Sequence, residues 1–409
     1  MQGFKKNRKQ FWLLVLVNAF VGSMVGLERS VLPGLAENFK VSNETAFLSF
    51  IAAFGASKAL FNLVTGKLTG KISRKKILIA GWLAAIPVPF LLMYAQNWNW
   101  IIFANILLGI NQGLAWSSTV IMKIDLVGEK QRGLAMGLNE FAGYLSVGLA
   151  AYLSASIAAA KGYLFFPFLP GLFFAAAGLL ITIFLIKDTA AHVQYEAEKT
   201  SLPFLKNIWK QASFRHHNIG TVTINGFINN LNDGVIWGLL PLILMAKDFS
   251  ISEIGIVAAV YPAVWGIAQL FTGKLGDRLC KKQLITVGMI LQALGILFLP
   301  FANSMPAAII SIVALGLGTA LVYPNFLSVV AENTHPLQRA EALSIFRFWR
   351  DSGYVIGAFL SGILTWMFGI TITLIIISLL TASAGLMAQV RMCCTSKLLW
   401  RGRICSELY

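Results

Sequence analysis

Eight ionisable side chains stand inside sequence runs that are otherwise apolar. A charge at the centre of a membrane helix costs about 2.5–3.5 kcal/mol on insertion scales, so each needs a partner or a function. Four of the eight are acidic and four are basic, which favours internal ion pairs. For each residue, a purely structural pair and a role in binding substrate or protons both stay open. The eight are Glu28, Arg29, Lys58, Glu140, Asp233, Arg347, Arg350 and Asp351.

A stripe of amide side chains precedes Asp233. Asn225, Asn229 and Asn232 follow i, i+4, i+7 spacing, so on a helix they share one face. Such a stripe suits hydrogen bonding to a polar solute. Hydrogen bonding between helices is the alternative, because amides also connect membrane helices to one another.

The elements that carry these residues are membrane helices. The 409-residue chain is 57% hydrophobic and 12% charged, whereas soluble proteins carry roughly 25% charged residues. Its apolar runs reach the about 20 residues that a helix needs to cross the hydrocarbon core, and they lack the alternation of a barrel. The net charge of +16 does not indicate nucleic-acid binding, because the basic residues fall between apolar runs. They fit instead the excess of Lys and Arg on the cytoplasmic side of membrane proteins.

The hydrophobic pattern predicts an all-α membrane protein with twelve transmembrane helices in two pseudo-symmetric six-helix bundles. Most of the 33 Lys and Arg residues are cytoplasmic if both termini lie inside the cell. The predicted organisation is a bundle at 1–186, a cytoplasmic linker at 187–218, a bundle at 219–390 and a cytoplasmic tail at 391–409. The predicted spans are 11–33, 46–65, 77–95, 99–122, 134–158, 163–186, 219–245, 250–272, 283–302, 306–330, 343–366 and 369–390.

The two predicted bundles repeat each other in sequence at an offset of 207 residues. Asn18 matches Asn225 at this offset, and Gly109 matches Gly316. The run Thr65-Gly66-Lys67-Leu68 matches Thr272-Gly273-Lys274-Leu275 without a gap. Two parallel six-helix repeats around a central site are a known transporter architecture.

A shared motif follows the second and the eighth predicted helices. The first copy reads Gly66-Lys-Leu-Thr-Gly-Lys71-Ile-Ser-Arg74-Lys, and the second reads Gly273-Lys-Leu-Gly-Asp277-Arg278-Leu-Cys-Lys-Lys. Both copies resemble the loop signature of the major facilitator superfamily, Gly-x-x-x-Asp-Arg/Lys-x-Gly-Arg/Lys-Arg/Lys. The first copy departs from it at Gly70, which is usually acidic, and at Ser73; the second departs at Cys280. The resemblance covers nearly the whole chain, because the repeat, the helix count and the loop positions agree.

The resemblance implies that these loops act at a cytoplasmic gate. We expect Asp277 near the start of the fifth helix, around Arg132 and Gly133, because an acidic group is favourable at a helix N-terminus. The predicted gating residues are Gly66, Lys71, Arg74, Arg132, Gly273, Asp277 and Arg278.

In the family that this sequence resembles, helices 1, 4, 7 and 10 line a central cavity. Glu28 and Asp233 would then face it, and a carboxyl group in a partly dry cavity can exchange protons near neutral pH. Neutralisation of Glu28 by Arg29 is the alternative. Lys58 and Asp351 are expected to approach each other, with a local pair between Arg347 and Asp351 as the alternative. The fourth and tenth helices add the candidate site residues Asn111, Gln112, Trp116 and Tyr323.

The motifs favour transport over catalysis. The chain has no Gly-x-Ser-x-Gly, no His-Glu-x-x-His and no phosphate loop. Its four cysteines form no Cys-x-x-Cys pair, so neither a zinc site nor a disulfide is expected, and no cofactor. The leading hypothesis is a proton-coupled secondary transporter of a small solute, monomeric and working by alternating access in the plasma membrane. The alternatives are an organic-anion carrier that uses the intramembrane Arg and Lys residues, and a receptor that senses a solute without moving it.

Overall fold

The chain is helical throughout the part that the structure describes. The computed structural model describes residues 3–29, 31–42, 49–128, 131–394 and 399, and those residues form no β-strand. Ten of their helices are long and apolar enough to cross a membrane. This confirms the all-α membrane fold, while the count of twelve spans and the cytoplasmic position of both termini stay predictions. Most of the predicted tail 391–409 lies outside the described residues.

Long helices joined by shorter ones follow one another along the described chain. The ten long helices are α1 (Arg8–Arg29), α4 (Arg74–Met93), α5 (Trp98–Val127), α6 (Arg132–Lys161), α7 (Phe166–Phe184), α9 (Ile219–Met245), α10 (Ile251–Gly276), α11 (Lys281–Phe301), α12 (Met305–Glu332) and α13 (Pro336–Arg391). The shorter helices include α2 (Leu32–Asn38), α3 (Ala56–Thr69), which continues a π-helical turn at Ile51–Gly55, and α8 (Ala190–Ala197). Residue Gly369 has φ 77° and ψ 166°, so α13 is two helices joined at a sharp kink.

The described chain divides into two compact units. Unit 1 comprises 1–129, 139–202 and 335–348, and unit 2 comprises 130–138, 203–334 and 349–409. Unit 1 therefore holds the first turns of α13, and unit 2 holds the first turns of α6. The predicted boundaries at residues 186, 218 and 390 stay predictions.

Each unit packs two of its helices closely through a Gly-x-x-x-Gly pair. In unit 1, a Cβ atom on Gly22 would collide with the carbonyl oxygen of Gly143, and one on Gly26 with that of Val147. In unit 2, Gly353 and Gly357 of α13 meet the backbone of α9 in the same way. Small residues spaced four apart let helix backbones approach closely in a membrane, where packing rather than hydrophobic burial drives association.

The helix ends show why some departures from the loop signature are tolerated. Ser73 stands where the signature has glycine, and its side chain accepts a hydrogen bond from the backbone N–H of Lys76 at 3.3 Å. It is the N-cap of α4, a position that favours Ser. Cys280 takes the corresponding place before α11 and forms a disulfide with Cys394. The expectation of no disulfide is therefore wrong: the two Cα atoms lie 5.7 Å apart, although 114 residues separate them in sequence.

His216 lies at the start of α9 and accepts two backbone hydrogen bonds. Its Nδ1 atom is 3.2 Å from the backbone nitrogens of Asn218 and of Ile219. A ring nitrogen accepts only when it carries no proton. Burial, together with the neighbouring His217 and Arg391, lowers the pKa of His216 to about 4, so the ring is neutral at physiological pH.

Candidate transport site

Most of the eight predicted ionisable residues are buried within the units. Glu28 and Glu140 have no solvent exposure, and the four in the second half are at most 4% exposed: Asp233, Arg347, Arg350 and Asp351. Arg29 and Lys58 are half-buried. Buried charges need compensation, so the partners of each group determine what it can do.

Glu28 is held by one amide between α1 and α5. Its Oε1 atom accepts a hydrogen bond from Asn105 Nδ2 at 2.5 Å. Its Oε2 atom is buried and has no hydrogen-bond partner among the described residues. Sequence reasoning missed Asn105, because an asparagine in a membrane helix does not indicate its partner until the rotation of both helices is known.

A second carboxyl group lies in a polar cluster between α5 and α6. Glu140 accepts hydrogen bonds from Trp116 Nε1 at 3.1 Å and from Asn139 Nδ2 at 2.6 Å. Asn139 in turn accepts a short hydrogen bond from Lys123. The sequence-based span ended at residue 122, but α5 continues to Val127 and Lys123 is fully buried. Lys123 is therefore an additional intramembrane charge that compensates Glu140.

The backbone of α5 is irregular at this cluster. A π-helical turn spans Gln112–Trp116, and such turns are frequent at functional sites. Asn111 donates to the carbonyl oxygen of Gly81 at 2.9 Å, and Gln112 donates to that of Val21 at 2.8 Å. These two predicted site amides thus connect α5 to α4 and α1. Among the predicted site residues of α5, Trp116 contacts an ionisable group, since its Nε1 atom donates to Glu140.

Lys58 of α3 lies beside the same tryptophan. Its Nζ atom is 6.0 Å from the ring centroid of Trp116 and 5.7 Å from that of Phe54. Such cation–π contacts stabilise a cation by about 0.5–2 kcal/mol, depending on its exposure. The expected approach of Lys58 to Asp351 stays a prediction.

In unit 2, Asp233 lies in an aromatic environment. It accepts a short hydrogen bond from the Tyr261 hydroxyl, which is also 3.2 Å from Thr319 Oγ1. The Tyr261 ring stacks on Trp265 with centroids 5.9 Å apart, and Trp265 meets the edge of Tyr323 at 6.5 Å. The predicted residues Asp233 and Tyr323 thus belong to one buried aromatic group. Tyr261 and Trp265 were not predicted, because tyrosine and tryptophan are ordinary in membrane helices.

Two arginines of α13 differ in their partners. Arg350 lies over the Tyr323 ring at 4.2 Å and donates to Asp351 Oδ1 at 2.9 Å. Asp351 therefore pairs with its sequence neighbour. The Nε and Nη1 atoms of Arg347 are buried and have no hydrogen-bond partner among the residues that the structure describes. The local pair between Arg347 and Asp351, which the sequence left open, is absent among these residues.

The amide stripe of α9 serves largely to connect helices. Gln292 of α11 donates to Asn229 at 2.9 Å and accepts from Asn232 at 3.1 Å. Asn232 also accepts from Thr381 at 2.9 Å, while Asn225 donates to the Thr221 carbonyl on its own helix at 3.0 Å. Asn229 and Asn232 therefore form hydrogen bonds between helices, which was the alternative interpretation of the stripe.

The second signature loop contacts the start of α6, as predicted. Asp277 accepts hydrogen bonds from the backbone N–H groups of Gly133 at 2.7 Å and Leu134 at 3.0 Å. Glycine at 133 and at 273 allows the two backbones to touch, since a Cβ atom on either would collide with the other's carbonyl. Burial raises the pKa of Asp277 above its ordinary value, although these two hydrogen bonds oppose the shift.

The first signature loop belongs to a buried charge cluster in unit 1. Arg74 Nε lies 2.8 Å from Asp125, which also accepts from the Thr189 hydroxyl at 2.7 Å. Beside it, the guanidinium of Arg339 binds both carboxylate oxygens of Glu196, with Nη1 2.8 Å from Oε2.

The remaining predicted gating residues have different surroundings. Lys71 and Arg278 are exposed. Arg132 donates to the Ala331 carbonyl at 3.4 Å, and Gly66 packs on Ser344.

Long apolar helices with buried ionisable groups define an integral, multi-pass membrane transport protein. The chain belongs to the Major Facilitator Superfamily, whose model matches residues 11–218 and 222–395. Members of this family are transporters of small molecules, so the chain is not an enzyme.

Curated relatives match only part of the chain. It is 32% identical over 133 residues to the multidrug resistance protein MdtH of Aeromonas hydrophila, a match that covers 31% of this chain and 34% of the relative. It is 25% identical over 138 residues to the quinolone resistance protein NorA of Staphylococcus aureus, covering 34% of this chain and 36% of the relative. The match thus spans about a third of the length of these relatives.

Solved structures match the fold over nearly the whole chain. The human organic anion transporter MFSD10 superposes with a TM-score of 0.77 at 15% identity, covering 94% of this chain and 99% of that one. The transporter FucP in its outward conformation superposes with a TM-score of 0.72 at 16% identity, covering 93% and 98%. At these identities the likeness shows the fold alone.

Proposed function

We propose that this protein is a proton-coupled secondary transporter of a small solute, with Glu28 as a proton-binding group. Glu28 carries this proposal: it has no solvent exposure, one oxygen bonded to a neutral amide, and one oxygen without a hydrogen-bond partner among the described residues. An unpaired carboxylate is costly in such surroundings, and binding a proton removes the charge. A group of this kind can couple the proton gradient to a conformational change.

Glu140 provides the contrast within the same unit. Its position is also fully buried, and its Oε2 atom likewise has no hydrogen-bond partner among the described residues, but Lys123 reaches it through Asn139, so an opposite charge compensates it. Truncating one member of a compensated pair disturbs structure, because the other charge is left unpaired. We therefore assign Glu140 and Lys123 to the structural polar core and Glu28 to proton binding.

The test is a transport screen in proteoliposomes, with and without an imposed pH gradient. The wild-type protein should accumulate at least one solute only when the gradient is present. Glu28→Gln imitates the protonated carboxyl group, so it should abolish gradient-driven accumulation and retain exchange of labelled for unlabelled solute. Glu37→Gln is the matched control, because Glu37 is exposed on α2. Accumulation that continues unchanged in Glu28→Gln would remove Glu28 from the coupling role.

A carrier of organic anions without proton coupling is the second candidate. It is favoured by the basic side chains Arg347 and Arg350 in α13, and MFSD10, with which the fold superposes, is an organic anion transporter. Solute uptake that is indifferent to the pH gradient would favour it. Counterflow of labelled solute would exclude a non-transporting receptor. A plasma-membrane location and a monomeric state complete the proposal, and size-exclusion chromatography with light scattering tests the latter.

A further inference from the structure

Arg347 is a buried cation with two donor atoms that have no hydrogen-bond partner among the described residues. The residue is 2% exposed, and these two atoms are Nε and Nη1. A guanidinium stays protonated in proteins, so it does not escape the cost of burial by losing its proton. A buried, unpaired charge is retained against a large desolvation penalty only where something else uses it.

Two other buried arginines of α13 are each paired with a carboxylate of the protein. Arg339 binds both oxygens of Glu196, and Arg350 binds Asp351. All three arginines are 2% exposed. The protein therefore supplies a carboxylate to the other two buried guanidinium groups, and Arg347 differs from both.

Ser344 adds a second donor of the same kind. Its Oγ atom is buried and has no hydrogen-bond partner among the described residues. Ser344 precedes Arg347 by three residues, so the two side chains share one face of α13. That face packs against α3 at a glycine: a Cβ atom on Gly66 would lie 2.5 Å from Ser344 Cβ. A hydroxyl and a guanidinium thus share one helix face, and Ser344 Oγ and Arg347 Nε and Nη1 have no hydrogen-bond partner among the described residues.

Arg347 lies in the cytoplasmic half of its predicted span, 343–366. It is four residues after the start of that span, which is roughly 6 Å along the helix at about 1.5 Å per residue. A solute anion held there would lie towards the cytoplasmic end of a transport path.

We propose that Arg347 and Ser344 form an oxyanion-binding subsite that holds a carboxylate of the transported solute. The Nε–H and Nη1–H groups would donate to the two carboxylate oxygens as a fork, and the Ser344 hydroxyl would donate to one of them. This assignment rests on the proposed function of solute transport and adds the chemical class of the solute. Phosphate offers similar acceptor oxygens, so the experiment separates the two anions.

The test measures thermal unfolding of the purified full chain in detergent. The probes are sodium benzoate, succinate, citrate and inorganic phosphate, with benzamide and succinamide as uncharged controls. At least one carboxylate should raise the unfolding temperature of the wild-type protein, while its amide and phosphate should not. A response to phosphate alone would overturn the carboxylate assignment.

Three variants locate the effect. Arg347→Gln should weaken binding of the active carboxylate by about thirtyfold or more, since an interacting charge is lost. Without ligand it should unfold at the same or a higher temperature than the wild type, because it removes an uncompensated charge. Arg347→Lys should bind at an intermediate level, as it keeps the charge but loses the fork. Arg8→Gln removes an exposed arginine and should behave as the wild type.

Three results would overturn the proposal: no anion stabilises the wild type, the shift persists in Arg347→Gln, or Arg347→Gln lowers the unfolding temperature without ligand. The last would mean that the protein itself pairs Arg347. This assay needs neither a gradient nor turnover. Carboxylate binding without gradient-driven uptake would refute proton coupling and leave the anion subsite supported. Gradient-driven uptake that is unaffected in Arg347→Gln would refute the anion subsite and leave proton coupling supported.

Discussion

Replacing Asp277 with asparagine should loosen the start of α6. The first N–H groups of a helix have no carbonyl partner within that helix, and Gly133 and Leu134 lie in the first turn of α6, which begins at Arg132. Their protection from solvent exchange therefore depends on the two oxygens of Asp277, which accept at 2.7 and 3.0 Å.

The magnitude follows from the bonds that change. A hydrogen bond to a charged group contributes about 1.5–3 kcal/mol net. Asparagine keeps one neutral acceptor but directs an NH₂ group at the second backbone N–H. A loss of about 2 kcal/mol corresponds to about thirtyfold faster exchange of the affected amide, since 1.4 kcal/mol is a factor of ten. Transport should slow, because this contact ties the second signature loop to α6.

Hydrogen–deuterium exchange read by mass spectrometry measures this in the peptide that contains 131–138. Asp248→Asn is the matched control, because Asp248 is exposed and adopts φ 60°, which asparagine tolerates. The reasoning is refuted if the peptide exchanges equally fast in Asp277→Asn and in the wild type. It is also refuted if the variant unfolds globally, since the contact would then maintain the fold rather than a gate.

Three further substitutions test the buried charges. Glu196→Gln should lower the stability by about 3–5 kcal/mol, because it leaves Arg339 buried and unpaired; a fall in unfolding temperature measures it, and no fall would contradict the pairing. Lys123→Met should destabilise by a similar amount, and adding Glu140→Gln should restore much of the loss, so additive effects would mean that the two groups do not interact. His216→Gln should remove a pH dependence of the folding stability. The pKa of His216 is about 4 in the folded protein against about 6.5 when unfolded. Wild-type stability is therefore full above pH 6.5 and falls by roughly 3 kcal/mol towards pH 4. Equal slopes of unfolding temperature against pH in the variant and the wild type would contradict this assignment.

The sequence predicts the fold class because the hydrocarbon core of a membrane permits few backbone structures. A run of about 20 apolar residues can cross that core as a helix, so an all-α membrane protein follows from composition and length. The repeat and the loop signature then predict the contact between Asp277 and the start of α6, which the hydrogen bonds to Gly133 and Leu134 confirm.

Pairing within the spans depends on helix rotation, which composition does not encode. Lys123 was assigned to a loop because a charge usually ends an apolar run, whereas α5 continues past it. For the amides at 229 and 232 the sequence left open both a solute and another helix as partner, and only the packed structure shows that Gln292 of a distant segment reaches both. The disulfide between Cys280 and Cys394 was missed for the same reason, since their proximity arises only after the helices pack.

Proton movement driven by a solute gradient alone is the most direct test of the central claim. Proteoliposomes with a pH-sensitive dye inside, and no initial pH difference, receive a solute that the transport screen has identified. With the wild-type protein, addition of the solute should change the internal pH, and dissipating the solute gradient should stop the change. With Glu28→Gln the solute should still exchange while the internal pH stays constant. Solute entry through the wild-type protein with no accompanying proton flux would contradict proton coupling.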